Sequence, residues 1–467
     1  MVTRRDQLQS YQFLTQRVIS AFVMRETDPQ QSPLRRGIGA VFGGVMIAVV
    51  AATGFGVYGI LTKTDNGAWK TDGSVVIEKE TGASFVYSSG GLNPTLNLAS
   101  AMLAAGTPNP RVHRIASRSL ALVPRRVAIG IPGAPDSLPA AGNRVGLPWT
   151  LCTASGPGSS GRAVSTVTLA VASAPTGGRR LDTDEGMLAK NAVTGTTYLI
   201  WGEHRYQLTD TDRVVPALFG ALVTAVPAGT SWLNALPAGA GIGPIAVNGR
   251  GRPSPAVPGH TIGELLVAET GSGPQYYLVF DDGLAAITPL QQAIASVWSP
   301  APPTRISVSE ATSAATSSRL SRPSGPTAPP RSPPALVTPA GDDLLCAVTN
   351  NAAAPPDIWV GGSVKGLATA NPTGTIGPGG ARLADRVYVP AGHVAIVRAM
   401  GAPNTTAGPY FVITDVGVRY AVPTPGVLAM LGYAPQLAVD VPADLVREIP
   451  AGPTLDPAAA TRPAPLA

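Results

Sequence analysis

GIGAVFGGVMIAVVAATGFGVYGIL, residues 37–61, contains no charged side chain and no proline. As a helix rising about 1.5 Å per residue it reaches roughly 37 Å, enough to cross a hydrocarbon core of about 30 Å with some tilt. A buried helix of a water-soluble domain is a poor alternative, because the stretch has no polar side and its many glycines weaken a helix in water. A cleaved secretory signal fits no better: residues 1–36 precede the stretch, and its apolar run is about twice the length of a signal h-region. The stretch reads as a transmembrane helix that stays attached.

The flanks orient it. Arg4, Arg5, Arg17, Arg25, Arg35 and Arg36 precede the span, whereas Lys63 and Lys70 follow it with Asp65 and Asp72 close by. Positive residues are retained in the cytoplasm, so the N-terminus is expected inside and residues 62–467 outside, in a single-pass arrangement. Within the span Gly39 and Gly43 form a GxxxG pair, and Gly44, Ala48, Ala52 and Gly56 continue a row of small residues at intervals of four. Such a row lets a second helix approach closely; the abundance of Gly and Ala in the chain accounts for it as well. Upstream, residues 4–27 place Leu8, Tyr11, Leu14, Val18 and Phe22 on one helical face, with Gln7, Gln9, Gln12, Gln16 and Arg17 between. Asp28-Pro29 and Ser32-Pro33 end that helix. It could lie on lipid or dock on a partner protein, and a polar side rich in Gln, with little Lys or Arg, favours the protein.

Composition bounds the outer part. With 53 Gly, 47 Pro, 5% aromatic and 13% charged residues, short strands and many turns are expected, hence a strand-rich α+β class. A net charge of +6 on scattered arginines without interleaved aromatics leaves no nucleic-acid footprint. The two cysteines, Cys152 and Cys346, both fall outside, where disulfides form, and a pair with no third suggests one bridge; two buried thiols are the alternative.

The outer part repeats itself. Phe85-Val86-Tyr87, Tyr198-Leu199-Ile200-Trp201, Tyr277-Leu278-Val279-Phe280 and Phe411-Val412-Ile413 share an aromatic-aliphatic strand pattern. The last three are followed by a polar turn and a second apolar run, which reads as a hairpin, and short Leu/Ala-rich segments come next. A proline recurs at one fixed distance from the aromatic position, at Pro124 after Phe85, Pro237 after Tyr198 and Pro450 after Phe411, and Pro-Ala-Gly occurs at both 237–239 and 450–452. Units of this kind dock to bury faces they cannot bury alone. The expected organisation is a cytoplasmic amphipathic helix at 1–36, the span at 37–61, repeat 1 at 62–139, and a central mostly-β domain split into 140–185 and 342–400. Repeats 2 and 3 lie at 186–250 and 251–298, a Pro/Ser-rich linker at 299–341, repeat 4 at 401–456 and a disordered tail at 457–467.

Catalytic signatures are not found. No Lys follows a Gly, so no Walker A loop exists; the four histidines are far apart, with no HExxH, and no GxSxG elbow occurs. The GxGxxG of Gly54, Gly56 and Gly59 lies inside the span. The glycine-rich run at Gly239, Gly241 and Gly243 reads as a turn, and Asp281-Asp282 and Asp342-Asp343 read as turn residues before metal ligands. No cofactor, metal or catalytic residue is expected.

The opening MVTRRDQLQSYQFLTQRVISAFVMRETDPQQSPLRRGIGAVFGGVM, the single span, the four repeats and the two distant cysteines resemble the EccB family of the type VII (ESX) secretion system. The resemblance covers essentially the whole chain, most specifically residues 5–33. It implies a structural subunit of a large inner-membrane complex with EccC, EccD, EccE and other EccB copies, EccC being an FtsK-like ATPase motor. It also implies a bridge between the matching Cys152 and Cys346, outer domains packed above a pore, and repeats similar to a cell-wall-binding module of a phage lysin. Two other readings follow from it: an ATPase with a non-standard nucleotide site, since some members carry that label, and an anchor that binds peptidoglycan.

Overall fold

A computed structural model describes residues 3–25, 34–61, 67–157, 163–340, 342–374, 382–405 and 407–465. The chain forms two units, Met1–Trp69 and Lys70–Ala467. The first contains the helices Arg4–Met24 and Leu34–Leu61. The earlier helix is capped by Asp6, whose carboxylate accepts from the Thr3 N–H at 3.0 Å and the Thr3 hydroxyl at 2.6 Å. It stops at Arg25, in the left-handed region at φ 55°, earlier than the predicted end at residue 27; the Asp28-Pro29 and Ser32-Pro33 stops lie outside the described residues. Gly37–Tyr58 is long and apolar enough to cross a membrane, and Thr53 satisfies its hydroxyl within the helix by donating to Val49 O at 2.7 Å.

The second unit is strand-rich α+β, built from four sheets of one design around a fifth. Repeat 1 runs through strands Ser74–Glu78, Ser84–Ser88 and Gly91–Pro94, helix Leu98–Ala104, strand Val112–Ile115 and helix Ser117–Leu120. Repeat 2 follows the same course from Glu185–Asn191 through Thr197–Trp201, His204–Gln207, helix Thr211–Phe219 and Val226–Ala228 to helix Thr230–Ala235. Repeat 3 comprises Leu265–Thr270, Gly273–Val279, Leu284–Ile287, helix Pro289–Ala295, Thr304–Ile306 and helix Val308–Ser313. Repeat 4 comprises Val394–Met400, Tyr410–Thr414, Arg419–Val422, helix Pro425–Met430, Val439–Pro442 and helix Ala443–Arg447. In each, three strands pair antiparallel, and the fourth, reached through the first helix, lies parallel to the first on its other side.

The central sheet orders its strands Asn371–Pro372, Arg386–Tyr388, Ala163–Val171, Trp149–Pro157, Leu345–Thr349, Asp357–Val360 and Arg179–Arg180. Its middle pair joins two distant parts of the chain, and Cys152 lies opposite Cys346 in the register and is disulfide-bonded to it. Side chains alternate across the sheet. Trp149, Leu151, Val167, Leu169, Leu345 and Ala347 face one side, in a core completed by residues of repeats 2 and 4, while the disulfide packs with Ala170 and Val348 on the other. Repeats 1 and 4 share a second core through Val75, Val86, Leu103, Ile396, Val412 and Leu428; repeats 2 and 3 share a third through Leu199, Val214, Leu218, Leu290 and Ile294.

Three predicted boundaries need correction. The tract at 299–341 is not an open linker: it supplies strand Thr304–Ile306 and helix Val308–Ser313 to repeat 3, then straps repeat 2. Thr327 O accepts from Ala240 N at 2.9 Å, Ala328 O from the Tyr206 hydroxyl at 2.9 Å and Arg331 O from Leu290 N at 2.9 Å, and Ala335–Leu336 pairs with the first strand of repeat 2. Prolines restrict the backbone in advance and leave every carbonyl available as an acceptor, so a proline-rich tract can be laid down as a strap at low entropic cost. Repeat 4 begins before 401, because Val394–Met400 pairs with Tyr410–Thr414. The tail is ordered over its described residues, 457–465: helix Pro457–Ala460 packs on Leu98–Ala104, with Ala460 fully buried and Ala464 N bonded to Ala128 O at 2.8 Å. Alanine looks uninformative in sequence, yet here it lets two small-residue helices touch.

Candidate assembly interface

The face of Arg4–Met24 predicted to meet a partner is exposed at Leu8, Tyr11, Leu14, Val18 and Phe22, Phe22 by 87%. The helix is less one-sided than the pattern promised. Phe13 and Val23, on other sides, are also exposed, and Phe13 carries the Arg17 guanidinium 5.1 Å from its ring centroid. In the apolar helix, Gly39, Gly43, Gly44, Ala48, Ala52 and Gly56 are exposed. A Cβ built on any of these four glycines meets nothing within 4 Å among the described residues.

The recurring proline closes repeats 1, 2 and 4. Leu92 N donates to Pro124 O, Arg205 N to Pro237 O and Arg419 N to Pro450 O, each at 2.9 Å. The chain then returns the bond, Arg126 N to Leu92 O, Gly239 N to Arg205 O and Gly452 N to Arg419 O. Repeat 3 makes the same closure with Ala315, whose carbonyl accepts from Leu284 N at 2.7 Å. That alanine comes one residue earlier, counted from the aromatic position, which is why the proline spacing misses it.

The glycine of Pro-Ala-Gly has a steric cause. A Cβ on Gly239 would sit 2.1 Å from Tyr206 Cε1, and one on Gly452 2.4 Å from Tyr420 Cε1. In repeats 1, 2 and 4 the aromatic that begins the pattern carries an arginine: Arg125 lies 4.2 Å from the Phe85 centroid, Arg205 5.5 Å from Tyr198 and Arg419 5.3 Å from Phe411. Arg419 also donates from Nε to Ile449 O at 2.8 Å, and burial pushes its pKa down. Repeats 1 and 3 have Leu92 and Leu284 at the position of Arg205 and Arg419, and in repeat 1 the arginine comes instead from the residue after the closing proline.

Register identifies one face in every repeat, formed by the first strand, the fourth strand and the second helix. In repeat 2 it comprises Ala189, Ala228, Trp232 and Leu236, and in repeat 4 Val397, Val441, Leu445 and Ile449, all packed with the central sheet. The same positions in repeat 3 are Leu266, Ile306, Glu310 and Ala314, with Glu310 exposed; together with Val257, His260 and Leu284 they line a cleft of about 310 Å³.

Residues suspected of chemistry are engaged in packing. Gly243 lies where a Cβ would meet Thr209 Oγ1 at 1.9 Å, and the run from Gly239 is held as a parallel partner of the strand before it. Asp282 accepts from the Ser317 hydroxyl at 2.6 Å and Ser318 N at 2.9 Å, and these bonds hold its pKa down; Asp343 accepts from Ala340 N at 2.7 Å. Among the described residues no group of three His, Cys, Asp or Glu side chains could hold a metal ion.

Residues 1–464 match the family described as "Type VII secretion system ESX-1, transport TM domain B". The chain belongs to the EccB family. It is 28% identical over 478 aligned residues to a Mycolicibacterium smegmatis EccB, "ESX-3 secretion system ATPase EccB3", covering 97% of this chain and 89% of that one. A Mycobacterium tuberculosis EccB, "ESX-2 secretion system ATPase EccB2", is 34% identical over 225 residues, 46% of this chain and 44% of the relative. Among solved structures, an intact ESX-5 inner membrane complex contains a chain that superposes with a TM-score of 0.66 at 25% identity, over 100% of this chain and 96% of its own. The EccB3 dimer from the ESX-3 core complex gives 0.62 at 26% identity, over 83% of this chain and 100% of its own. In the sequence the repeats show through the aromatic-aliphatic pattern of the second strand of each. The first strands are comparable in length to the second but buried at consecutive positions, so they do not alternate, and the fourth are only three or four residues long.

Proposed function

We propose that this EccB-family chain is a structural subunit of an ESX protein-secretion complex in the inner membrane, anchored by one N-in, C-out span and bracing the assembly on the extracytoplasmic side. The observation that carries this is the likeness, over the whole chain, to a chain of an intact ESX-5 inner membrane complex. The packing roles of the glycine runs and acidic pairs support it, because they leave the outer unit built for rigidity. In this reading the exposed face of Leu8, Tyr11, Leu14, Val18 and Phe22 docks on a partner in the cytoplasm, and Gly39, Gly43, Gly44, Ala48, Ala52 and Gly56 receive a neighbouring helix in the membrane. The partners are EccC, EccD, EccE and further EccB copies. Extraction of the full-length chain from its own membrane in mild detergent should yield a megadalton-scale species containing an FtsK-like ATPase; a lone monomer or dimer would defeat the proposal. Deleting residues 1–30 should leave the chain in the membrane but outside that species.

The names of the relatives favour a second reading, ATP hydrolysis by this chain itself. ATP turnover by the purified full-length chain, free of EccC, would establish it. Sedimentation of that chain with cell-wall sacculi would point to a peptidoglycan anchor.

A further inference from the structure

Glu448 directly follows the last helix of repeat 4 and is 8% exposed. Three parts of the fold meet there. Its main-chain oxygen accepts from Ala384 N at 3.2 Å, in the segment entering the central-sheet strand Arg386–Tyr388. Ser231, on the second helix of repeat 2, lies beside the carboxyl and ties that helix to the same segment by donating to Leu383 O at 3.2 Å. Asp385 accepts from Val167 N at 2.7 Å, which fixes the segment to the sheet. Leu445, Val446 and Ile449 on either side of Glu448 belong to the core that contains Trp149 and Leu233.

Within this apolar junction Glu448 Oε2 is buried with no hydrogen-bond partner. The charged groups around it are Asp385 from the sheet side and Asp444 and Arg447 from its own helix, while the helix Thr230–Ala235 of repeat 2 has no charged residue. Arg447 is paired with Asp444, and Arg419 spends its Nε on Ile449 O. Burial first, then the like charges of Asp444 and Asp385, push the carboxyl up to about 7; Ser231 and Arg447 oppose this. A group whose pKa is raised on folding stabilises most below its unfolded value, here 4.5, and loses that contribution as pH climbs to about 7.

We propose that Glu448 is a proton-operated latch: protonated, it lets the end of repeat 4 stay seated between the central sheet and repeat 2, and its ionisation loosens that seat. The test is hydrogen exchange on the full-length chain in detergent from pH 5 to pH 8, corrected for intrinsic rates, read at residues 443–449 and 230–236. Protection in the wild type should fall by about tenfold or more across this range, while residues 98–104, in the other core, should not change. Glu448→Gln should be flat with pH and hold at pH 8 the protection that the wild type shows at pH 5. A flat wild-type profile, or an equal fall in Glu448→Gln, overturns the latch. Asp385→Asn removes a like charge and keeps an acceptor for Val167 N, so the fall should shrink; an unchanged fall in that variant also overturns it.

Discussion

Repeats 2 and 4 share with repeat 3 the same strand order, the same crossover and the same closing bridge, yet they are used differently. The first two press one face onto the central sheet through Trp232 and Leu445, and repeat 3 turns the equivalent face outward with Glu310 at that place. A backbone frame kept by main-chain hydrogen bonds therefore accepts either a buried or an open face, and the docked repeats carry Trp232 and Leu445 where the open one carries Glu310. Repeats 2 and 4 also meet each other on one side of the sheet, helix Thr230–Ala235 against helix Ala443–Arg447, whereas repeat 3 shares a core with repeat 2 through helix Pro289–Ala295.

The largest expected effect breaks the frame that holds both docked repeats. The disulfide spans a sequence separation of 194, and a loop of that order corresponds to as much as about 5 kcal/mol of unfolded-state entropy. Cys152→Ser should lower the melting temperature and raise exchange first in repeats 2 and 4, which pack on the central sheet; an unchanged melting temperature would show that sheet pairing alone suffices. Trp232→Ala should cost about 4 kcal/mol, since it empties a fully buried site between repeat 2 and the sheet. Glu310→Ala, at the matching position of repeat 3, should cost far less, through loss of one half of the capping box with Ser307. Equal costs in denaturant titrations would erase the distinction between docked and open faces. Gly452→Val forces a side chain into the Tyr420 ring and should cost about 3 kcal/mol, visible as loss of protection in repeat 4. Smallest is Ala315→Pro, which gives repeat 3 the closing residue of the other three. If its backbone already matches theirs, stability changes by less than about 1 kcal/mol, and a large loss would mean that its closure differs.

Legibility followed the strength of local signals. The apolar run at 37–61 and the aromatic second strands could be read because hydrophobicity and spacing carry them, and the fixed-offset prolines did mark a real contact, the closure of three repeats. The strap could not be read, because Pro/Ser composition is the same whether a segment is solvated or laid in a groove; Tyr206 and Ala328 meet only in the folded chain. Nor could the tail, whose Ala460 gains its meaning from an alanine-bearing helix far away in the sequence. Leu8, Tyr11, Leu14, Val18 and Phe22 are exposed on Arg4–Met24, but so are Phe13 and Val23 on other sides of the helix, which the five-residue pattern does not show.

By itself the sequence determined the apolar segment, the strand-rich class, the family and the existence of repeating units, since each depends on composition or on short-range periodicity. Only the tertiary structure decided which face each repeat buries, that the chain between repeats 3 and 4 doubles back over repeat 2, and that Glu448 is shut into a three-way junction. Those outcomes depend on contacts between residues hundreds of positions apart, and local propensity holds no information about them.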